Sequence, residues 1–244
     1  MVVFKASEEH QYINMRTFTV EAVLFDMDGT LIDSTPGVLS AWDIFAKDYG
    51  FDAETVAHAT HGRRLYDTLR EFCHIEDEKK LIDEVNRFEA EVLKGGPIAL
   101  PGAIHLINEI QTGSAEAQRN AWTIATSASN IYAPQGLKAC GVPIPPAGLV
   151  TSNDVKQGKP HPDPYLAAAE RCGVSPKNCL VVEDAPSGLN AGRAAGSKTL
   201  AVCTSHTREA ILAKSTPDYI VKDLTKVSIK WIDGKLEFAI DESE

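Results

Sequence analysis

Val20-Glu21-Ala22-Val23-Leu24-Phe25 runs straight into Asp26-Met27-Asp28-Gly29-Thr30. The apolar run reads as a short buried strand, and the two carboxylates with a glycine read as the turn that stops it. Downstream the rhythm becomes helical from Ser34 to about Lys94. Ser34 or Thr35 can cap a first helix with Pro36 in its opening turn, and Gly50 can end it. Leu39, Trp42, Phe45 and Tyr49 would form its buried stripe. Leu81, Val85, Phe88 and Val92 repeat the pattern before Gly95-Gly96-Pro97 breaks it.

After Pro101 helices and strands alternate. Ala103–Ile110, Ile131–Cys140, Pro164–Cys172 and Gly188–Ala195 read as helices. Ala121–Thr126, Gly148–Val150, Cys179–Val182 and Lys198–Cys203 read as strands. Such alternation implies parallel strands with crossover helices on both faces. The tail, Val227–Ile240, alternates about Asp233-Gly234 and predicts a β-hairpin. The fold class is therefore α/β: a doubly wound parallel-sheet core of residues 1–33 and 97–244, interrupted by a helical insert of residues 34–96.

With 244 residues, 43% of them apolar, the chain can bury a large core. No apolar run approaches the roughly 18 residues of a membrane span, and the amino terminus lacks a secretory pattern. The expectation is a cytoplasmic protein with no membrane partner. Lys and Arg number 24 against 34 Asp and Glu, a net charge of −10. That field disfavours nucleic acid, whose phosphates require a basic surface. An anionic small substrate then needs a local positive site. The five cysteines, Cys73, Cys140, Cys172, Cys179 and Cys203, show no C-x-x-C and read as reduced thiols. His58 and His61 share a spacing of three, which suits solvated or loop histidines better than a metal pair.

In doubly wound sheets, ligands lie beyond the carboxyl ends of the strands. Those positions hold Asp26 and Asp28, then Ser127, Ala128 and Ser129, then the loop carrying Lys159, then Glu183 and Asp184. Singly each has an ordinary reading: a turn, a helix cap, a solvated lysine. A calcium loop counted from Asp26 fails, because it needs glycine at position 6 and glutamate at 12, where Leu31 and Gly37 stand. Together the residue types suit phosphoryl transfer to water. An aspartate attacks phosphorus and a second carboxylate exchanges protons. Oxygen ligands hold Mg²⁺, while a lysine and hydroxyls bind the phosphoryl oxygens.

From Val20 to about Val221 the sequence resembles the haloacid dehalogenase-type phosphohydrolases. Phe25–Ser34, Thr123–Ser129, Lys159 within Gly-Lys-Pro-His-Pro, and Val181–Gly188 match that family's four motifs in order. The resemblance implies a Rossmannoid core with an α-helical cap domain. It makes Asp26 the nucleophile and Asp28 the acid/base. Ser127, Ala128 and Lys159 would bind phosphate, and Asp26, Asp28, Glu183 and Asp184 would hold Mg²⁺. Asp28 points to phosphatases and phosphomutases within the family. His61-Gly62-Arg63-Arg64 and Asn153-Asp154-Val155-Lys156-Gln157-Gly158-Lys159-Pro160 are similar to the glycerol-phosphate and 2-deoxyglucose-6-phosphate phosphatase branch, with Arg63 where relatives carry tryptophan. This implies a phosphatase of small sugar or polyol phosphates, with His61, Arg63 and Arg64 of the cap facing the substrate. The alternatives are a phosphomutase of the β-phosphoglucomutase kind and a non-catalytic phosphate-binding or phospho-receiver protein.

Overall fold

The structure, a computed structural model, describes residues 15–242. Residues 1–14, most of the stretch read for a secretory leader, lie outside them. Strand β1 (Met15–Val20) is followed by β2 (Ala22–Phe25) and the two-residue β3 (Ile32–Asp33). Four helices come next: α1 (Thr35–Tyr49), α2 (Ala53–Thr60), α3 (Leu65–Cys73) and α4 (Glu78–Lys94). The chain returns through β4 (Ile98–Ala99) and α5 (Ala103–Glu116), then β5 (Trp122–Ala125), α6 (Tyr132–Ala139) and β6 (Leu149–Val150). Helix α7 (Asp163–Cys172), β7 (Cys179–Glu183), α8 (Pro186–Ala194), β8 (Lys198–Val202), α9 (Arg208–Lys214) and β9 (Tyr219–Val221) complete the alternation. Strands β10 (Val227–Ile232) and β11 (Lys235–Asp241) end it.

Six strands form one parallel sheet in the order β6-β5-β2-β7-β8-β9. Every residue of β2, β5 and β7 is buried, as expected for central strands covered by helices on both faces. The chain builds outward from β2 on one side and then crosses to β7 on the other. The crevice at the end of β2 is thus the switch point where such sheets bind ligands.

The stretch Val20–Phe25, read as one strand, is divided at Glu21. Strand β1 leaves the parallel sheet and pairs antiparallel with β11, in a three-stranded sheet ordered β1-β11-β10. Its largely exposed sequence, in which Arg16, Thr17 and Thr19 interrupt the apolar residues, gave no apolar run to detect. The hairpin is present, with Asp233 and Gly234 both at positive φ (49° and 71°), as a two-residue type I′ turn requires.

The helices between Thr35 and Lys94 form the insert. Trp42, Phe45 and Phe88 pack edge to face, at centroid distances of 4.7 and 5.2 Å between α1 and α4. Leu39, expected in the buried stripe of α1, is instead 48% exposed; Gly37, Ala41, Trp42 and Phe45 form the stripe. Ser34 occupies the cap position of α1 but makes no capping bond. Asp33 accepts from the Thr35 N–H instead, which frees Ser34 for the site below. The entry and exit of the insert are joined by pairing of β3 with β4. Beside them, Gly37 and Gly95 approach so closely that a Cβ on Gly37 would lie 2.3 Å from the Val92 carbonyl.

All five cysteines are free, and Cys73, Cys172 and Cys179 are buried. Burial pushes these three thiols up to about 12. No helix among the described residues is long and apolar enough to cross a membrane.

Candidate active site

Four strand ends deliver their polar residues to one place. Asp26 follows β2, Ser127 and Ala128 follow β5, and Lys159 lies in the loop between β6 and α7. Glu183 ends β7, with Asp184 next. Asp26, Lys159, Glu183 and Asp184 are all buried. Lys159 Nζ donates to Asp26 Oδ1 at 2.5 Å and to Glu183 Oε1 at 2.7 Å. Burial works against the lysine charge, but these two carboxylates overcome it and hold the ammonium above its ordinary range. Burial also raises the Asp26 carboxyl, with the Lys159 charge opposing.

Glu183 is held on every side. Its Oε1 also accepts from the Tyr165 hydroxyl at 2.9 Å. Its Oε2 accepts from the main-chain N–H groups of Asp184 and Ala185 at 3.0 and 2.9 Å. Glu183 therefore anchors Lys159 as well as standing beside the other carboxylates. Asp28 receives the Tyr132 hydroxyl on Oδ1 at 2.8 Å and a hydrogen bond from Ser34. Burial raises its carboxyl even so, which favours a proton there.

The insert roofs this floor. His61 Nε2 lies 2.9 Å from Asp184 Oδ2. Asp184 stays below its ordinary value although burial pushes the other way, because the His61 hydrogen bond and charge prevail. Ser127 Oγ donates to the Gly62 carbonyl at 2.8 Å. Gly62 has φ of +75°, and a Cβ there would sit 2.6 Å from Ser187 Oγ and 2.8 Å from Ala185 Cβ. Only glycine fits between cap and core at this point. From α4, Glu89 reaches Ser129, accepting from its N–H at 2.7 Å and from its hydroxyl.

A cavity of about 590 Å³ opens between floor and roof, lined by Asp26, Asp28, Ser127 and Ala128 below and by His61 and Arg63 above. Lys159 and Glu183 lie beneath it. Arg63 and Arg64, expected side by side over the substrate, diverge. Arg63 lines the cavity and pairs with Glu71 at 2.6 Å. Arg64 forks onto Asp67 with two bonds of 2.8 Å and faces a separate cleft beside Val155. His58 also lines the main cavity but joins no metal-capable cluster among the described residues.

Sequence reasoning did not reach Tyr132, Tyr165, Glu89 or His206. Tyr132 and Tyr165 lie in the first turns of helices α6 and α7, where an aromatic reads as core.

The floor suits a hard cation. One oxygen each from Asp26, Glu183 and Asp184 lies within 4.8 Å of the others, and all three groups are buried. An all-oxygen donor set carrying more negative charge than Lys159 neutralises is what a small divalent ion requires.

Comparison with known proteins adds the decisive match. The family profile of the haloacid dehalogenase-like hydrolases fits residues 20–196. The chain belongs to that family. This haloacid dehalogenase-like hydrolase is 40% identical over 181 residues to hexitol phosphatase A of Escherichia coli, covering 73% of this chain and 81% of that protein. It is 35% identical over 237 residues to glycerol-1-phosphate phosphohydrolase 2 of Saccharomyces cerevisiae, covering 91% of each. It is 31% identical over 232 residues to the 2-deoxyglucose-6-phosphate phosphatase 1 of the same yeast, covering 88% of this chain and 92% of that one. The motifs at Phe25–Ser34 and Val181–Gly188 thus lead to the same family as these comparisons, and the segments His61–Arg64 and Asn153–Pro160 to the same branch.

Proposed function

We propose that this hydrolase is a cytoplasmic, Mg²⁺-dependent phosphatase of small sugar or polyol phosphate monoesters, working through an aspartyl-phosphate. The observation that carries the reading is the pair at the cavity floor. Asp26 is gripped by Lys159 at 2.5 Å, and Asp28, two residues on, is held by Tyr132 with its proton favoured by burial. The names of the hexitol, glycerol and deoxyglucose phosphate relatives support the substrate class.

In the first half-reaction a carboxylate oxygen of Asp26 attacks phosphorus, and the ester P–O bond breaks. Asp28 gives its proton to the departing alkoxide, which leaves as the alcohol. In the second half, Asp28 takes a proton from water as the water oxygen bonds to phosphorus. The P–O bond to Asp26 breaks, inorganic phosphate leaves, and both carboxyl groups return to their starting states. Lys159 Nζ and Ser127 Oγ hold the phosphoryl oxygens, joined by the Ala128 N–H once it turns from Thr126 Oγ1, its acceptor at 3.0 Å. Asp26 and Asp184, with the Asp28 carbonyl and Glu183 alongside, would hold Mg²⁺, which would supply positive charge against the phosphoryl group. His61 and Arg63 close over the leaving group and limit the water that reaches it.

The test is phosphate release with Mg²⁺ from glycerol 1-phosphate, hexitol phosphates and 2-deoxyglucose 6-phosphate, run in ¹⁸O-water. The expected result is one label per released phosphate over many turnovers. Conversion of glucose 1-phosphate to glucose 6-phosphate without labelled phosphate would make the protein a mutase. Phosphorylation that stops at one equivalent would make it a receiver.

A further inference from the structure

Beside the carboxylate floor stands a second group of metal-capable side chains with different chemistry. One ring nitrogen of His61, one of His206 and one carboxylate oxygen of Asp184 lie within 4.8 Å of one another. The imidazoles of His61 and His206 meet edge to face, with ring centroids 4.7 Å apart. Nδ1 of His206 is buried and has no hydrogen-bond partner. A buried ring nitrogen without a partner is costly, and a ligand would satisfy it. Both histidines line the cavity, so an ion has a way in and an open position toward substrate or water.

We propose that His61, Asp184 and His206 form a second metal site, for a borderline-soft divalent ion such as Zn²⁺. Two imidazoles and one carboxylate suit Zn²⁺, whereas Mg²⁺ takes oxygen ligands and belongs to the floor. For all three to reach the ~2.0–2.1 Å bonds of zinc, His61 Nε2 and Asp184 Oδ2 must give up their 2.9 Å hydrogen bond while the His206 nitrogen moves in. Rotation of the half-buried His61 and His206 rings supplies that movement.

The site has a mechanical consequence. His61 belongs to the insert, while Asp184 and His206 belong to the core. An ion bound by all three ties the roof to the floor and draws on Asp184, which the proposed Mg²⁺ site also uses. Zn²⁺ would then act as a clamp that holds the cavity closed. The clamp's effect on turnover rests on the phosphatase reading, but the site itself does not.

The experiment is metal binding by the full-length chain in saturating Mg²⁺, with Co²⁺ as the spectroscopic probe. Zn²⁺ affinity is measured against a chromophoric chelator. The expected result is one Co²⁺ per chain with an intense visible band of low coordination number, erased by Zn²⁺. His206→Ala and the shape-preserving His206→Phe, each checked for folding by circular dichroism, should weaken Zn²⁺ by roughly a hundredfold. Loss of even a supporting hydrogen bond to a metal ligand costs about 10- to 100-fold. Asp26→Asn, which alters only the floor, should retain the band. A weak six-coordinate spectrum in the wild type would overturn the proposal. So would wild-type Zn²⁺ affinity in both His206 variants, or loss of the band in Asp26→Asn alone. None of these readouts needs turnover, so the phosphatase reading can fail without deciding them.

Discussion

Glu89, buried on the last helix of the insert, accepts hydrogen bonds from both the main-chain N–H and the hydroxyl of Ser129. Ser129 stands two residues beyond Ser127, in the loop proposed to hold phosphate. The position of the roof is therefore tied directly to the phosphate loop. Burial pushes the Glu89 carboxyl up to about 7, against the opposing bonds from Ser129. A folded value above the unfolded one means the protonated form is favoured by folding. That stability is complete below the unfolded value near 4.5 and is lost as pH rises through about 7.

Glu89→Gln keeps an acceptor for the Ser129 N–H and carries no charge to bury. The variant should match wild type near pH 4.5 and exceed it above pH 7, by up to about 3 kcal/mol. Thermal unfolding at the two ends of that window checks this. A stability difference that does not change with pH would refute it.

Tyr132→Phe removes the hydroxyl that orients Asp28 while leaving the ring in the core. Since the contact is to the proton-transfer group and not to the substrate, kcat should fall by roughly tenfold or more with KM little changed. Steady-state kinetics on the best substrate of the panel would settle it; a rise in KM alone would assign Tyr132 to binding.

Asp26→Asn removes the attacking charge. Lys159 keeps its second partner, Glu183, so the fold should hold. Turnover is expected to drop by about 10³-fold or more. Wild-type-like phosphate release from the folded variant would exclude Asp26 as nucleophile.

Exhaustive chelation should abolish phosphate release, and Mg²⁺ should restore it. Ca²⁺ is larger and accepts more ligands at longer distances, so it should bind the floor yet inhibit. Equal rates with the two ions, or full activity after chelation, would contradict the role given to the carboxylates.

Gly37→Ala tests the neck of the insert. The added methyl would press on the Val92 carbonyl at 2.3 Å, and neither helix backbone can yield locally. A loss of about 1–3 kcal/mol is expected, read as a lower urea midpoint. An unchanged midpoint would mean that α1 and α4 separate freely there.

The sequence by itself determined the parallel α/β core and the strand ends that carry Asp26, Asp28, Ser127, Lys159, Glu183 and Asp184. Both are local properties. An apolar run stops, a polar residue follows, and the alternation with helices forces neighbouring strands to point the same way. The tertiary structure decided what each of these residues touches. Tyr132 meets Asp28 across 104 residues of chain, and Glu89 meets Ser129 across 40. Ser34 could have been a helix cap until Asp33 took the bond, and Leu39 a core residue until α1 presented it to the cavity. Arg63 and Arg64, adjacent in sequence, face different clefts because Arg64 sits at the cap position of the helix that starts at Leu65 and pairs with Asp67 in its first turn. Periodicity records which residues are buried, but a hydrogen bond depends on where two distant backbones come to rest. That placement exists only once the insert is packed on the core.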